Sequence, residues 1–307
     1  MMKITAPEMF ADLSDGNRFV GELPQMFGSS VNFAGKNNVL FCEKGVRLSN
    51  CVINFNADNS IVYLCENKND YKLNISVYNN NVFYSGKNNY FNGVFNVILS
   101  EQKHFFMGNE CLLSFGIWVR NADPHLVYDC ESKKRINPTQ SIYFGDHIWV
   151  GQSAMILKGT QVESGSIIGA MSVVSNKKIP ANCSFAGNPA KKIREGIFWR
   201  DPCVHAWTDK KTEDSETFRE NTYIYKFKNG EFISFDEIEE KLSPKHSVDK
   251  KLKFLDKISA NKDKNRFCSD KGEKADSSHD SENKIANKKI GRIHRESCRN
   301  FFDIKVL

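Results

Sequence analysis

Residues 144–191 repeat with a period of six. A bulky apolar residue recurs at every sixth position, and a small or compact residue follows four places after most of them. The bulky positions are Phe144, Val150, Ile156, Val162, Ile168 and Val174, and the spacing continues at Pro180 and Ala186. This period matches neither an α-helix, with about 3.6 residues per turn, nor the alternation of a β-strand. It is typical of a parallel β-helix, in which three hexads close one triangular coil around the apolar residues.

The same spacing occurs earlier in the chain and is then interrupted. The earlier apolar positions are Met107, Leu113 and Val119. The next position in this phase is His125, and the pattern resumes only at Phe144. Residues 123–143 contain two prolines and many polar residues, which predicts a loop that leaves the solenoid. Because insertions in repeat folds often lie on the binding face, the loop that begins Asp-Pro-His is the first candidate for a functional site.

The composition divides the rest of the chain. Residues 1–36 are predicted to cap the first coil. Residues 37–100 place Asn-rich segments between short apolar runs. Asn tolerates the left-handed backbone conformation of a tight corner, so these residues predict further, less regular coils. We therefore expect a β-helix domain over residues 37–208, closed by a short helix or strand at 190–198.

The C-terminal third lacks the repeat. Residues 209–260 predict a small appendage with two helices and a hairpin that turns at Asn229 and Gly230. Residues 261–307 are poor in apolar residues and predict a basic, low-complexity tail. We expect a chain cut after about residue 210 to keep its chemistry.

The net charge of +6 is unevenly distributed. Residues 241–300 hold 17 Lys and Arg against 9 Asp and Glu, whereas the rest of the chain holds 26 against 28. The basic end is either a solvated tail or a segment attracted to a polyanion such as an acidic glycan, nucleic acid or lipid. For the protein as a whole we expect no nucleic-acid partner.

The cysteines and the apolar runs bear on the compartment. The nine cysteines are odd in number and form no C-x-x-C pair, which favours reduced thiols. No run approaches the roughly 18 apolar residues of a membrane span, and the N-terminus lacks the apolar core of a signal peptide. We expect a cytoplasmic protein without a membrane span.

Four motifs in this region resemble a known family. They are Asp-x-His at 123–125, Ile-Trp-Val-Gly at 148–151, Ile-Leu-Lys-Gly at 156–159, and Asn-Cys-x-x-Ala-Gly-x-Pro-Ala-Lys at 182–191. They resemble the hexapeptide-repeat acyltransferases, in particular the bacterial capsular O-acetyltransferases that modify polysialic acid. The resemblance covers residues 107–208 of the 307. It implies a mainly β fold, a left-handed parallel β-helix, assembled as a homotrimer with acetyl-CoA in a cleft between neighbouring prisms.

The resemblance also assigns the chemistry. It implies that His125 is the general base for direct attack of a glycan hydroxyl on the thioester, a role that contributes about 10²–10⁴-fold. Asp123 either orients His125, as a carboxylate does in triads, or forms the turn before Pro124. Asn121 is a weaker candidate for the same role. Cys130 and Cys183 are not expected to act as nucleophiles.

Other residues are candidates for the donor site. Trp149 can stack on a sugar or on the pantetheine arm of CoA, or pack against another copy. The N–H of Gly151 is a candidate oxyanion donor. Small residues predict a narrow surface for CoA, and basic residues beyond it are either phosphate contacts or solubilising charges. The small residues are Gly169, Ala170, Ala186, Gly187 and Pro189, and the basic ones are Lys191, Lys192 and Arg194. No metal is expected, because His and Cys do not cluster at ligand spacing.

Two features depart from the polysialic acid subgroup. About 100 residues follow the catalytic prism, and Ser175-Asn176 stands where an aromatic and a basic residue are expected. Three functions stay open: O-acetylation of a capsular or surface glycan, with sialic acid favoured, acetylation of a small sugar, nucleotide sugar or serine, and a non-catalytic β-helical scaffold.

Overall fold

The computed structural model describes residues 2–226 and 232–269, and within them the chain winds into about seven triangular coils. Three stacks of short, mostly parallel strands form the sides of the prism. Face 1 consists of Arg18–Gly21, Val39–Cys42, Ile61–Leu64, Val82–Ser85, Phe105–Met107, Ile142–Phe144, Gln161–Val162 and Lys178–Ile179. The predicted β-helical fold is confirmed.

The two other sides follow in the same order in each coil. Face 2 is divided into two sheets. The first pairs Gln25–Phe27 with Arg47–Ser49, and the second consists of Tyr90–Phe91, Leu112–Leu113, Trp149–Val150, Ile167–Ile168, Cys183–Ala186 and the antiparallel Lys191–Glu195. Face 3 consists of the antiparallel Met2–Ile4, then Ser30–Phe33, Val52–Phe55, Leu73–Val77, Phe95–Leu99, Trp118–Arg120, Met155–Leu157 and Val173–Val174. A short 3₁₀ helix, Pro7–Asp12, lies beside the first coil.

The coils come in two sizes. Hydrogen bonds join residues 22 apart in the N-terminal coils, as between Asn37 and Asn59, and 18 apart in the C-terminal coils, as between Asp146 and Ser164. Eighteen residues are three hexads, so the hexad pattern is regular only in the later coils. The longer coils fold because Asn occupies their corners: Asn37, Asn59 and Asn80 all have positive φ. The coils begin at Arg18, within the range predicted as a cap.

The predicted inward positions form the core. From Met107 to Val174, the apolar residues that define the hexad phase are no more than 1% exposed. After Val174 the inward-facing positions shift by one residue. Ile179 and Phe185 are buried in the core, whereas the hexad spacing predicted Pro180 and Ala186 there. Pro180 is exposed at the corner, where its missing N–H costs no ladder hydrogen bond.

The C-terminal residues form a layer that covers face 1. We call residues 232–269 the C-terminal layer; it contains helices α2, Phe235–Lys241, and α3, Val248–Ala260. A shorter helix, α1, Asp209–Asp214, precedes them. The outward side chains of face 1 form an aromatic column that packs against the layer in a second apolar core. The column consists of Phe41, Tyr63, Tyr84, Phe106 and Tyr143.

A buried ion pair fastens the end of this layer. The Arg266 guanidinium donates to both carboxylate oxygens of Asp146, at 2.9 and 2.8 Å, and to the carbonyl oxygens of Ile258 and Asn261. The side chains of Arg266 and Asp146 are 1% and 9% exposed. Removing one partner of such a buried pair strongly destabilises the folded chain, because the other charge is left buried and unpaired.

The domain boundaries in the structure differ from those predicted from the sequence. The compact unit extends to Asp270, and Arg266 and Phe267 within it are buried, so the predicted division at residue 260 falls inside the layer. Within the layer, Ile233–Ser234 pairs in parallel with Phe267–Cys268. The element that closes the β-helix, predicted as a short helix or strand at 190–198, is the strand Lys191–Glu195. The predicted hairpin turn at 229–230 and most of the predicted tail, residues 270–307, lie outside the described residues.

Candidate active site

The predicted loop is an ordered arm. It runs from residue 121 to 141, between the strands that end at Arg120 and begin at Ile142, so the predicted end at 143 is two residues too late. We call residues 121–141 the arm. Its two halves pair through an antiparallel bridge between Tyr128 and Arg135. It leaves the prism at the corner between face 3 and face 1.

His125 lies on the arm with its side chain exposed. Its main chain is held from inside the arm: the side-chain amide of Asn137 donates to the His125 carbonyl oxygen at 2.8 Å. The Asn137 amide oxygen accepts from the Val127 N–H at 3.0 Å, two residues further along. The imidazole is thus open to a substrate while the backbone that carries it is fixed.

Asp123 is paired with residues other than the imidazole. Its carboxylate accepts from Lys158 Nζ at 2.5 Å and from Asn137 Nδ2 at 3.1 Å. The hydrogen bond from Lys158, followed by that from Asn137, lowers the pKa of Asp123. Within the described residues no hydrogen bond joins this carboxylate to the His125 ring. The orienting role predicted for Asp123 therefore needs a rearrangement and stays a prediction.

The base of the arm is tied to the preceding coil. Arg135 forms a two-pronged ion pair with Glu101, at 2.7 and 2.8 Å, and Thr139 also donates to that carboxylate. These contacts, first the hydrogen bond from Arg135, lower the pKa of Glu101 to about 2. Asn121, the weaker candidate, is buried at the start of the arm and accepts from the Ser100 N–H through its amide oxygen. Its position supports the arm and not the imidazole.

The predicted small residues line the corner between face 2 and face 3. A Cβ at Gly151 would come within 2.4 Å of the Ala170 nitrogen, and a Cβ at Gly169 within 2.7 Å of the Ala186 Cβ. These glycines allow successive coils to approach closely. The N–H of Gly151 donates to the Ile168 carbonyl at 2.7 Å, so it belongs to the ladder between coils. The prediction that it serves as a free oxyanion donor is therefore wrong for this conformation.

The predicted nucleotide end lies at the C-terminal edge of the same corner. Gly187 is exposed and has a φ of 101°, a conformation that favours glycine. Lys191 and Lys192 are exposed on the last strand of face 2, and Lys192 forms an ion pair with Glu195 at 2.8 Å. Lys191 lies beside the small-residue corner with no ion pair among the described residues, which suits it to meet a phosphate.

Trp149 lies on face 2, away from the corner that carries the arm. It is 39% exposed, and its ring centroid is 6.0 Å from that of Trp199. Trp199 in turn stacks on His147 at 3.9 Å, and its indole N–H donates to the His147 carbonyl oxygen. His147 is buried by this contact, which lowers its pKa.

The residues predicted for the site therefore lie at two corners of one chain. Asp123 and His125 are together on the arm, and the residues predicted to bind CoA are together at the other corner, with Trp149 on the adjoining face. Face 3 separates the two groups. Sequence reasoning missed Asn137, which lies within the arm, and Lys158, which lies outside it; both donate hydrogen bonds to Asp123. An Asn-Pro step such as 137–138 indicates a turn and gives no information about the partners of the Asn side chain.

Comparisons with known proteins agree with the fold. No protein-family model matches the chain. The chain is 33% identical over 126 residues to a polysialic acid O-acetyltransferase of Escherichia coli O1:K1 / APEC, which covers 41% of this chain and 39% of that protein. It is 26% identical over 179 residues to the polysialic acid O-acetyltransferase of Neisseria meningitidis, which covers 58% of this chain and 82% of that protein.

A solved structure extends the likeness. The crystal structure of the polySia-specific acetyltransferase NeuO matches with a TM-score of 0.54 at 28% identity, over 65% of this chain and 93% of that one. The resemblance inferred from the sequence is confirmed: the chain is similar to the hexapeptide-repeat acetyltransferases, and among them to the polysialic acid O-acetyltransferases. Its match spans well under half the length of the Escherichia coli relative.

No helix in residues 2–226 and 232–269 has the length and apolar character needed to cross a membrane. In the same residues, no three His, Cys, Asp or Glu side chains are grouped so as to hold a metal ion.

Proposed function

We propose that this protein transfers the acetyl group of acetyl-CoA to a hydroxyl of an acidic capsular or surface polysaccharide, with a sialic-acid-containing glycan favoured. The observation that carries the proposal is the exposed imidazole of His125 on an arm with a fixed backbone. The similarity to polysialic acid O-acetyltransferases supports both the reaction and the acceptor class. Because acetyl-CoA is supplied inside the cell, we place the reaction in the cytoplasm.

His125 supplies the base. Its neutral imidazole takes the proton of the acceptor hydroxyl as the oxygen attacks the thioester carbonyl, and the carbon–sulfur bond breaks as the tetrahedral intermediate collapses. The imidazolium then returns the proton to the departing thiolate, so the products are the acetyl ester and the free thiol of CoA. Because the hydroxyl attacks the thioester directly, the reaction needs no cysteine nucleophile. Cys130 is exposed, and Cys183 is buried, which raises its pKa.

The small-residue corner suits the donor. The corner carries Gly151, Gly169, Ala170 and Gly187. An added Cβ at Gly187 would meet only the Pro189 carbonyl oxygen, at 3.7 Å, so this end of the corner is open to the pantetheine arm. Lys191 and Lys192 lie at its C-terminal end, where they can meet the phosphates of the nucleotide. Trp149 offers a partly exposed ring for stacking on the same side.

The separation of the two corners supports a shared site. We infer that the arm of one copy covers the small-residue corner of the next, which closes into a ring of three copies. The exposed apolar side chains agree with this arrangement: Leu126, Tyr128 and Ile136 lie on the arm, and Trp118 and Met171 lie on or beside face 3. Face 1 is covered by the C-terminal layer, which leaves faces 2 and 3 for contacts between copies.

A panel of acceptors tests the proposal. The full chain is incubated with acetyl-CoA and, in turn, oligosialic acid, a neutral galactoside and serine, and thiol release and product mass are followed. We expect release and an acetylated product with the oligosialic acid. Release with only the galactoside or serine would favour a small-acceptor enzyme, and no release with any acceptor, under conditions where the protein is folded, would favour a non-catalytic scaffold.

A further inference from the structure

The side chain of Asn137 makes four hydrogen bonds within the arm. Its side chain is buried, with 7% exposed, although the arm around it is mostly exposed. It donates to the Asp123 carboxylate and to the His125 carbonyl, and it accepts from the Val127 N–H and, at 3.3 Å, from Arg135 Nε. One amide thus bonds the first, third and fifth residues of the segment 123–127.

The contacts of Asn137 divide into two sets by chemistry. Its Nδ2 donates to the residues that carry or flank the imidazole, Asp123 and His125. Its Oδ1 accepts from the two residues that close the arm, Val127 and Arg135. Arg135 is anchored to Glu101 and Asp123 to Lys158, so Asn137 links two points that are themselves tied to the coils.

We propose that Asn137 is a positioning residue for His125, and that its Nδ2 donor sets the place of the imidazole relative to the thioester. The inference rests on the proposed role of His125 as base. A misplacement of about 1 Å in a reacting group can cost on the order of 10²-fold in rate. Because Asn137 binds the backbone of His125 and touches no substrate, its loss should lower kcat and leave the KM for acetyl-CoA unchanged.

Two substitutions separate positioning from simple support of the arm. Asn137→Asp keeps the acceptor oxygen for Val127 and Arg135 but removes the donor to His125, and Asn137→Ala removes both sets of bonds. We expect kcat to fall by about 10- to 100-fold in both variants, with the KM for acetyl-CoA within about twofold of wild type. Ser132→Ala is the matched control, because it removes a hydrogen bond to Asp129 at the far tip of the same arm. It should keep wild-type kcat.

The outcomes distinguish this inference from the proposed function. A kcat near wild type in Asn137→Asp together with a loss in Asn137→Ala would overturn the inference, because support of the arm alone would then explain the bonds. Wild-type kcat in both variants, or a rise in KM with kcat unchanged, would overturn it as well. His125→Ala is measured beside them: if it keeps full activity, the proposed base is wrong, whereas if it is inactive and the Asn137 variants are not, only the positioning role fails. Thermal unfolding of each variant confirms that the chain is folded.

Discussion

Two segments leave the repeating coils, and they are held by different kinds of contact. The arm is fixed by polar bonds from its own Asn137 and by ion pairs with Glu101 and Lys158 of the coils. The apolar side chains on it, Leu126, Tyr128 and Ile136, stay exposed. The C-terminal layer buries apolar side chains against face 1 and is locked by the Arg266–Asp146 pair. Burial of apolar area dominates folding, whereas exposed ion pairs contribute about 0–1 kcal/mol. The comparison indicates that the layer contributes more to stability than the arm, to which our proposal assigns the chemistry.

The largest expected effect follows from removing the layer. A chain that ends at Lys226 exposes the aromatic column of face 1 and leaves Asp146 without its cation. We expect this chain to aggregate or to lose cooperative thermal unfolding. A chain that ends at Ser269 keeps the described contacts of the layer and is the control, with the Tm of the full chain. If the shorter chain unfolds cooperatively at the full-chain Tm, the layer is the separable appendage that the sequence predicts.

The ion pair sharpens the same comparison at one residue. Arg266→Ala leaves the buried Asp146 carboxylate uncompensated, so we expect the free energy of unfolding to fall by about 3–5 kcal/mol. Lys262→Ala, at an exposed position four residues earlier, should change it by less than about 0.5 kcal/mol. Denaturant unfolding measures both. Equal stability of the two variants would show that the pair contributes nothing net.

Acid should weaken the boundary between the layer and the prism. His104 is fully buried there, and burial lowers its pKa to about 3. Since the unfolded histidine has a pKa of about 6.5, the unfolded chain binds a proton between these values that the folded chain does not. The contribution to stability is complete above about pH 6.5 and is lost by about 1.4 kcal/mol per pH unit as the pH falls, or about 2 kcal/mol at pH 5. Urea unfolding from pH 7 to 5 measures this slope.

The histidine variants identify the source of that slope. In His104→Gln the free energy of unfolding should fall by about 2 kcal/mol less between pH 7 and pH 5 than in the wild type, although the variant is less stable at pH 7. His205→Gln, at an exposed position, should keep the wild-type slope. A wild-type slope in His104→Gln would assign the acid sensitivity to other groups.

The smallest effect concerns a lysine inside the layer. Lys251 on α3 is buried, its Nζ has no partner among the described residues, and burial lowers its pKa to about 8. Lys251→Met keeps the length of the side chain and removes the amine, so we expect a gain of about 1 kcal/mol at pH 7. The gain should shrink as the pH rises above 8, because the folded chain then holds the amine neutral. Lys253→Met, at an exposed position on the same helix, should show no gain.

The sequence predicts the coils of the prism better than the arm and the C-terminal layer. Apolar residues at Phe144, Val150 and Ile156 repeat because each stacks on the coil before it, and a contact of this kind leaves a period in the chain. The longer N-terminal coils blur that period, since Asn corners add residues. The Arg266–Asp146 pair spans 120 residues and leaves no period, so sequence reasoning assigned Arg266 to the tail. The loop that carries His125 could be predicted because it interrupts the pattern, and the role of His125 itself stays a prediction from the resemblance. Asn137 was missed because its hydrogen bonds leave no mark in the spacing.

The most direct test of the account compares catalysis and stability in one variant of the arm. For wild type, His125→Ala and the exposed control His205→Ala, thiol release from acetyl-CoA with oligosialic acid is measured alongside Tm. The account predicts that His125→Ala lowers the rate by at least about 10²-fold while its Tm stays at the wild-type value, and that the control changes neither. Release at the wild-type rate from folded His125→Ala would contradict it.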